Sequence, residues 1–113
     1  MRIALIGYGK MGKMIEEVAT DMGHEIVLRV GIENMEEFTS ENLSKANVAI
    51  EFTAPESAFY NVKKCIDNGL PVVSGSTGWN NRIDEIKNYC TKTSTNFYKK
   101  EWKKFEKLCY ISQ

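Results

Sequence analysis

Apolar and polar positions fall in alternating blocks along this chain, short solid apolar runs followed by longer stretches with helical spacing. Arg2 to Ile6 is such a run, the pattern of a strand covered on both faces. Lys13 to Met22 follows, with Met14, Ile15, Val18, Ala19 and Met22 at helical spacing, and Gly23 marks its end. Glu25 to Val30 reads as a second strand. Gly31 to Lys45 is mixed, anchored by Met35, Phe38 and Leu43, and predicts a loop with a short helix near Ser40 to Lys45. Ala46 to Phe52 predicts a third strand. Thr53 is then the expected N-cap of a helix, and Pro55 sits where a missing N–H costs least. That helix places Ala58, Phe59, Val62, Cys65 and Ile66 on one face and stops at Asn68-Gly69. Pro71 to Ser74 predicts a fourth strand. Asn81 to Cys90 predicts another helix, with Ile83, Ile86, Tyr89 and Cys90 inward.

Strands alternating with helices imply a parallel sheet with right-handed crossovers, a Rossmann-like, doubly wound α/β fold in three layers. Ligands in such sheets bind beyond the carboxyl ends of the strands. Four predicted loops lie at that edge: Gly7 to Gly12, Gly31 to Asn34, Thr53 to Pro55 and Gly75 to Gly78. The first reads Gly7-Tyr8-Gly9-Lys10-Met11-Gly12, a G-x-G-x-x-G turn between a strand and a helix. Alone that pattern is weak; the strand before it and the helix after it give it weight. In such a turn Gly7 permits the tight bend, Gly9 lets backbone approach a pyrophosphate, and Gly12 lets helix pack on strand. The N–H groups at the start of that helix face the phosphates.

Composition narrows the classes. A chain of 113 residues makes one domain. Lysine plus arginine (15) equals aspartate plus glutamate (15), so the global charge favours neither nucleic acid nor membrane. No apolar stretch approaches the roughly 18 residues of a membrane span, and the N-terminus has no secretory pattern. The three cysteines, Cys65, Cys90 and Cys109, stand in no metal-ligand spacing and read as reduced cytoplasmic thiols. His24, the one histidine, falls in a predicted helix-to-strand turn, and no metal site is expected.

Three stretches, in order, carry a family resemblance: Gly7-Tyr-Gly-Lys-Met-Gly12, Ile50-Glu-Phe-Thr-Ala-Pro55 and Gly69-Leu-Pro-Val-Val-Ser-Gly-Ser-Thr-Gly-Trp79. Together they resemble the cofactor-binding half of the dihydrodipicolinate reductase family, enzymes of lysine and diaminopimelate biosynthesis. That family reads approximately G-x-x-G-[RK]-M-G, then [DE]-F-[ST]-x-P, then G-x-P-x-V-x-G-T-T-G. The resemblance covers residues 1 to about 98. It implies that Gly7, Tyr8, Gly9, Lys10, Met11 and Gly12 hold the pyrophosphate of NADH or NADPH. It further implies that Phe52, Thr53 and Pro55 lie along the cofactor, and that Gly75, Ser76, Thr77 and Gly78 cradle the nicotinamide ribose and carboxamide.

The chain departs from the family pattern in three places. The glycine loop is one residue shorter than the commonest form, and Lys10 reads equally as a phosphate neighbour or a solvated lysine. Gly31 stands where a dinucleotide fold usually carries a ribose-binding carboxylate. Glu33, two residues on, is the candidate replacement, a choice that favours NADH because a carboxylate repels a 2′-phosphate. Arg29 lies within the strand and is not assigned to that phosphate, so cofactor preference stays open. Beyond residue 98, where the family continues into a substrate and assembly domain, the sequence reads Lys99 to Gln113 and matches no part of the family's catalytic motif.

Trp102, Phe105, Leu108 and Cys109 recur there at helical spacing against Lys99, Lys100, Lys103, Lys104 and Lys107, which predicts a C-terminal basic amphipathic helix. Such a helix suits a membrane surface or an acidic partner, or covers apolar surface left by an absent domain; the last is preferred. The expected organisation is therefore a dinucleotide-binding domain over 1–98 and a tail over 99–113. This chain is expected to bind a small-molecule cofactor without turning over, and to be a monomer unless the tail helix or the exposed interdomain face pairs two copies. The alternative reading is a non-catalytic NAD(H)-sensing module whose tail reports occupancy.

Overall fold

The computed structural model describes residues 1–93, 97–101 and 104–109, and side chains up to residue 89 apart from that of Asn80. The order of elements is β1 (Arg2–Ile6), α1 (Lys10–Asp21), β2 (Glu25–Val30), α2 (Ser40–Leu43), β3 (Val48–Glu51), α3 (Pro55–Asp67), β4 (Val72–Ser74), α4 (Ile83–Thr93), β5 (Phe97–Glu101) and β6 (Lys104–Cys109). Single 3-10 turns at Met35–Glu37 and Asn80–Arg82 lead into α2 and α4. The sheet runs β2-β1-β3-β4-β5-β6, with β1 to β5 parallel and β6 antiparallel to β5. The chain moves outward from β1 to β2, then returns across β1 to build β3 and β4. The order therefore reverses between β1 and β3, and a crevice opens at the carboxyl ends of these two strands.

The solid run of β1 is apolar because it faces two layers. Ala4 and Ile6 join Leu28, Val30, Ala49 and Val72 in a core closed by Phe59, Val62 and Ile66 of α3 and Ile86 of α4. Ile3 and Leu5 point to the other face, beneath Ile15 and Ala19 of α1. Those two assignments put alternate residues of one strand into separate cores. Only part of the α1 stripe is used: Ile15 and Ala19 pack on the sheet, while Met14 and Val18 are 53% and 58% exposed. They wall an open apolar groove of about 550 Å³ floored by Val48, Ile50 and Val73. No helix among the described residues is long and apolar enough to cross a membrane.

Three local expectations are corrected. Helix α1 begins at Lys10 rather than Lys13, because Gly9 is its N-cap and the glycine loop feeds straight into the first turn. Thr53 does not cap α3; Ala54 holds that position, with Pro55 opening the helix, and the Thr53 hydroxyl is engaged by Glu51 instead. The amphipathic helix expected over the tail is strand wherever its residues are described, 99–101 in β5 and 104–109 in β6. The physical reason is the sheet edge. β5 would otherwise expose a row of unpaired N–H and C=O groups, and pairing Glu101 with Lys104 through Phe97 with Cys109 satisfies them. A helix of this length gains little unless it packs, so helical spacing alone does not decide the outcome. Trp102 and residues 110–113 lie outside the described residues.

Candidate functional site

The glycine loop is shaped by close approaches. The Gly7 N–H donates to the Val30 carbonyl at 2.8 Å, which carries the chain past the end of β1. Gly7 then turns with φ +106°, and a Cβ there would lie 2.0 Å from the Phe52 carbonyl oxygen. Any L side chain is therefore excluded both by conformation and by space. A Cβ on Gly12 would lie 2.4 Å from the Gly7 oxygen, so the first turn of α1 rests directly on the loop. Gly9 differs: a Cβ there would meet nothing within 4 Å. Its absence serves no packing in the protein and leaves an open approach to the start of α1.

That helix start is electrostatically bare. Gly9 contributes no side-chain cap, and the first turn of α1 has no acidic residue. Lys13 is the first residue whose N–H returns to the loop, donating to the Gly9 carbonyl at 3.0 Å. The N–H groups of the residues before it belong to the set that a helix leaves without intrahelical acceptors. With the positive end of the helix dipole behind them, they suit an anion. Lys10 and Met11 are exposed beside this opening.

The other loops converge on the same edge. The Phe52 N–H donates to the Ile6 carbonyl at 2.9 Å and the Gly75 N–H to the Glu51 carbonyl at 2.8 Å, so both loops continue the ladder of the sheet. A Cβ on Gly75 would lie 1.9 Å from the Phe52 ring, and one on Gly78 3.1 Å from the Pro55 ring. The structure thus brings together Gly7 with Phe52 and Thr53, Phe52 with Gly75, and Pro55 with Gly78.

Beneath them lies a carboxylate that the sequence reading did not single out. Glu51, the last residue of β3, is fully buried. Its Oε1 accepts from the Ser74 hydroxyl at 2.6 Å. Its Oε2 accepts from the Ser76 hydroxyl at 2.6 Å, the Thr53 N–H at 2.9 Å, and the Thr53 hydroxyl. Asn61 of α3 donates to the Thr53 hydroxyl oxygen at 3.1 Å, and the Trp79 indole donates to the Ser76 carbonyl at 3.1 Å. The available signal was an acid ending an apolar strand, with hydroxyl residues at 53, 74 and 76 around it.

A second polar cluster stands between the glycine loop and β2. The Tyr8 hydroxyl donates to Glu16 at 2.8 Å, and the Arg29 guanidinium grips both Glu16 oxygens at 2.7 and 2.8 Å. The Arg29 guanidinium foremost, and the Tyr8 hydroxyl after it, hold the Glu16 carboxyl down at about 2, well below the usual carboxylate range. The same Glu16 bond raises the Tyr8 phenol and the Arg29 guanidinium. Asn34 fixes the neighbouring loop: its Oδ1 accepts from the Gly31 N–H at 2.7 Å and its Nδ2 donates to the Arg29 carbonyl at 2.7 Å. Glu33 is exposed on that loop, as is Thr77 on the Gly75–Gly78 loop. Chemically the assembly offers N–H donors and a shaped edge for an anionic, elongated ligand.

The comparisons agree with this architecture. Among solved structures, a dipicolinate-bound dihydrodipicolinate reductase from Paenisporosarcina sp. TG-14 superposes with a TM-score of 0.67 at 20% identity, over 86% of this chain and 45% of that one. An imine reductase of Streptomyces aurantiacus gives 0.67 at 12% identity over 88% of this chain and 40% of its own. At these identities they show the fold. Curated 4-hydroxy-tetrahydrodipicolinate reductases are closer in sequence. That of Christiangramia forsetii is 39% identical over 99 residues, covering 86% of this chain and 40% of the relative. That of Staphylococcus saprophyticus subsp. saprophyticus is 38% identical over 95 residues, covering 77% of this chain and 38% of the relative. The chain thus spans about 40% of the length of such relatives. The family model described as "Dihydrodipicolinate reductase, N-terminus" matches residues 1–100, the stretch that holds all three sequence motifs and the loops they form, and the chain belongs to that family.

Proposed function

We propose that this chain is the NAD(P)H-binding domain of a 4-hydroxy-tetrahydrodipicolinate reductase, and that alone it binds the dinucleotide without turning over. One observation carries the reading: three loops converge over the uncapped start of α1, at the point where strand order reverses. Gly7, Tyr8, Gly9, Lys10, Met11 and Gly12 would hold the pyrophosphate, Gly9 by leaving the approach open. Phe52, Thr53 and Pro55 would run along the cofactor, with Gly75, Ser76, Thr77 and Gly78 at the nicotinamide ribose and carboxamide. The bound group would supply a hydride, delivered in the full-length enzyme to a cyclic imine substrate. That transfer needs the substrate held near the nicotinamide with a proton donor in place. The resemblance puts the motif for that task beyond residue 98. Reduced thiols such as the free, buried Cys65 support a cytoplasmic setting. The sensing alternative relied on a tail helix as reporter, and residues 104–109 are instead strand within the sheet.

Fluorescence titration with NADH and with NADPH tests the proposal. Saturable binding of either is expected; absence of binding by a folded chain would overturn it. Glu33 is the proposed ribose reader, so Glu33→Gln should raise NADPH affinity relative to NADH. An unchanged ratio would remove Glu33 from that role.

A further inference from the structure

We infer that Glu51 is a positioning residue for the cofactor loops, clamping the 53–55 and 75–78 segments to each other from below. The inference rests on the dinucleotide reading above, but its geometry is independent of it. Glu51 is fully buried, and among the described residues it has no cationic partner within salt-bridge distance. Its contacts are neutral donors from both loop segments: the Thr53 N–H at 2.9 Å and the Thr53 hydroxyl on one side, the Ser76 hydroxyl at 2.6 Å on the other. Ser74, at the end of β4, anchors the second oxygen at 2.6 Å.

A buried carboxyl group without a cationic partner is an expensive way to join two strands if joining were its only role. An apolar residue would fill the same space between parallel strands, as Ala49 and Val72 do two register steps away on the same face. What an apolar residue cannot do is fix the Thr53 N–H, which is shared between Glu51 and the Ser76 hydroxyl oxygen at 2.8 Å. That sharing ties the two segments at one atom. The loops above, where Phe52 meets Gly75 and Pro55 meets Gly78, then have one arrangement. An ionised carboxylate only accepts, and an amide of the same shape places a donor against one set of hydroxyl or N–H partners.

The test compares Glu51→Gln, Glu51→Asp and Ser74→Ala for NADH affinity, melting temperature and amide exchange at Thr53. Glu51→Gln should weaken NADH at least tenfold and speed Thr53 exchange. Glu51→Asp, which keeps the acceptor, should recover most of both. Ser74→Ala removes a bond to the same carboxylate on the strand side, and should lower melting temperature with less than a threefold effect on affinity. Should Glu51→Gln fail to fold, Ser76→Ala takes its place in the comparison with Ser74→Ala. NADH affinity within twofold of the parent in Glu51→Gln, or affinity that merely follows melting temperature across the set, would overturn the inference. If the parent chain itself binds no NADH, the dinucleotide reading fails. Thr53 exchange then still decides the clamp: unchanged protection in Glu51→Gln refutes it.

Discussion

Gly9 and Gly12 belong to one motif, yet the structure gives them opposite jobs, and a pair of substitutions separates fold from binding. In Gly12→Ala the new Cβ would stand 2.4 Å from the Gly7 carbonyl oxygen and 3.2 Å from its carbon. Ordinary contact begins near 3.4 Å, so α1 must lift by about 1 Å or the loop must open by as much. Both neighbours are backbone, which cannot rotate away. Forced overpacking of this kind costs about 1–3 kcal/mol. Replacing glycine by alanine within a helix returns about 1 kcal/mol. Because both obstructing atoms are backbone, the cost sits at the upper end of that range, and the balance is a net loss of about 2 kcal/mol, or roughly 8 °C in melting temperature for a domain of this size. NADH affinity should fall with it, because the helix start moves relative to the loop.

Gly9→Ser should behave in reverse. Nothing lies within 4 Å of a Cβ there, and serine is a better N-cap than glycine by a few tenths of a kcal/mol. Melting temperature should hold or rise slightly. The side chain would nevertheless occupy the approach to the α1 amides and compete for them. Losing one hydrogen bond to a charged phosphate costs about 1.5–3 kcal/mol, so NADH should bind at least tenfold more weakly. Thermal melts and fluorescence titrations on both variants check this. A Gly12→Ala protein as stable as its parent, or a Gly9→Ser protein binding NADH within twofold of it, would refute the division of labour.

Two further outcomes follow from the charged and thiol groups. The Glu16 carboxyl is held at about 2 when folded, below its ordinary value, so its contribution is fully present above about 4.5 and is lost as pH falls toward 2. Glu16→Gln should therefore be less stable than the parent at pH 7, with the difference shrinking at pH 3, as read by urea unfolding; a difference that is constant with pH would contradict the linkage. The Cys65 thiol is pushed up to about 12, by burial first and by the Glu51 charge second. Its peptide should stay unmodified by iodoacetamide at pH 8 until denaturant is added, with labelling followed by mass spectrometry; rapid labelling of the folded chain would show the site to be open.

The parallel part of the fold was legible because each of its elements combines a pattern with a stop. β1 and β2 are found at their expected bounds, since Gly7 and Gly23 bracket them and their apolar runs face two layers. The tail failed for a reason the pattern could not carry. Phe105 and Leu108 have helical spacing, but hydrogen-bond demand at the edge of β5 is a property of the assembled sheet. The α1 stripe failed in part for a similar reason: spacing identifies an apolar face but not how much of it finds a partner. Met14, Val18 and Met22 share the periodicity of Ile15 and Ala19 and remain exposed.

The site was legible to the extent that glycine records contact. Gly7, Gly75 and Gly78 each sit where a Cβ would strike another loop of the site, and Gly12 where it would strike the turn before its own helix, so their positions in sequence already encode which segments touch. Hydrogen-bond hubs leave no such trace. Glu51 is the one acid of an apolar strand, Ser74 ends the next strand, and Thr53 and Ser76 are expected beside the cofactor, but nothing in their order along the chain shows that they meet. Only the parallel register, which sets Glu51 beside Ser74, shows that four donors meet one carboxylate. Residues that must be small reveal themselves by what they lack; residues that must accept bonds reveal themselves only once the strands are paired. That asymmetry explains why the loops of this site were expected and their anchor was not.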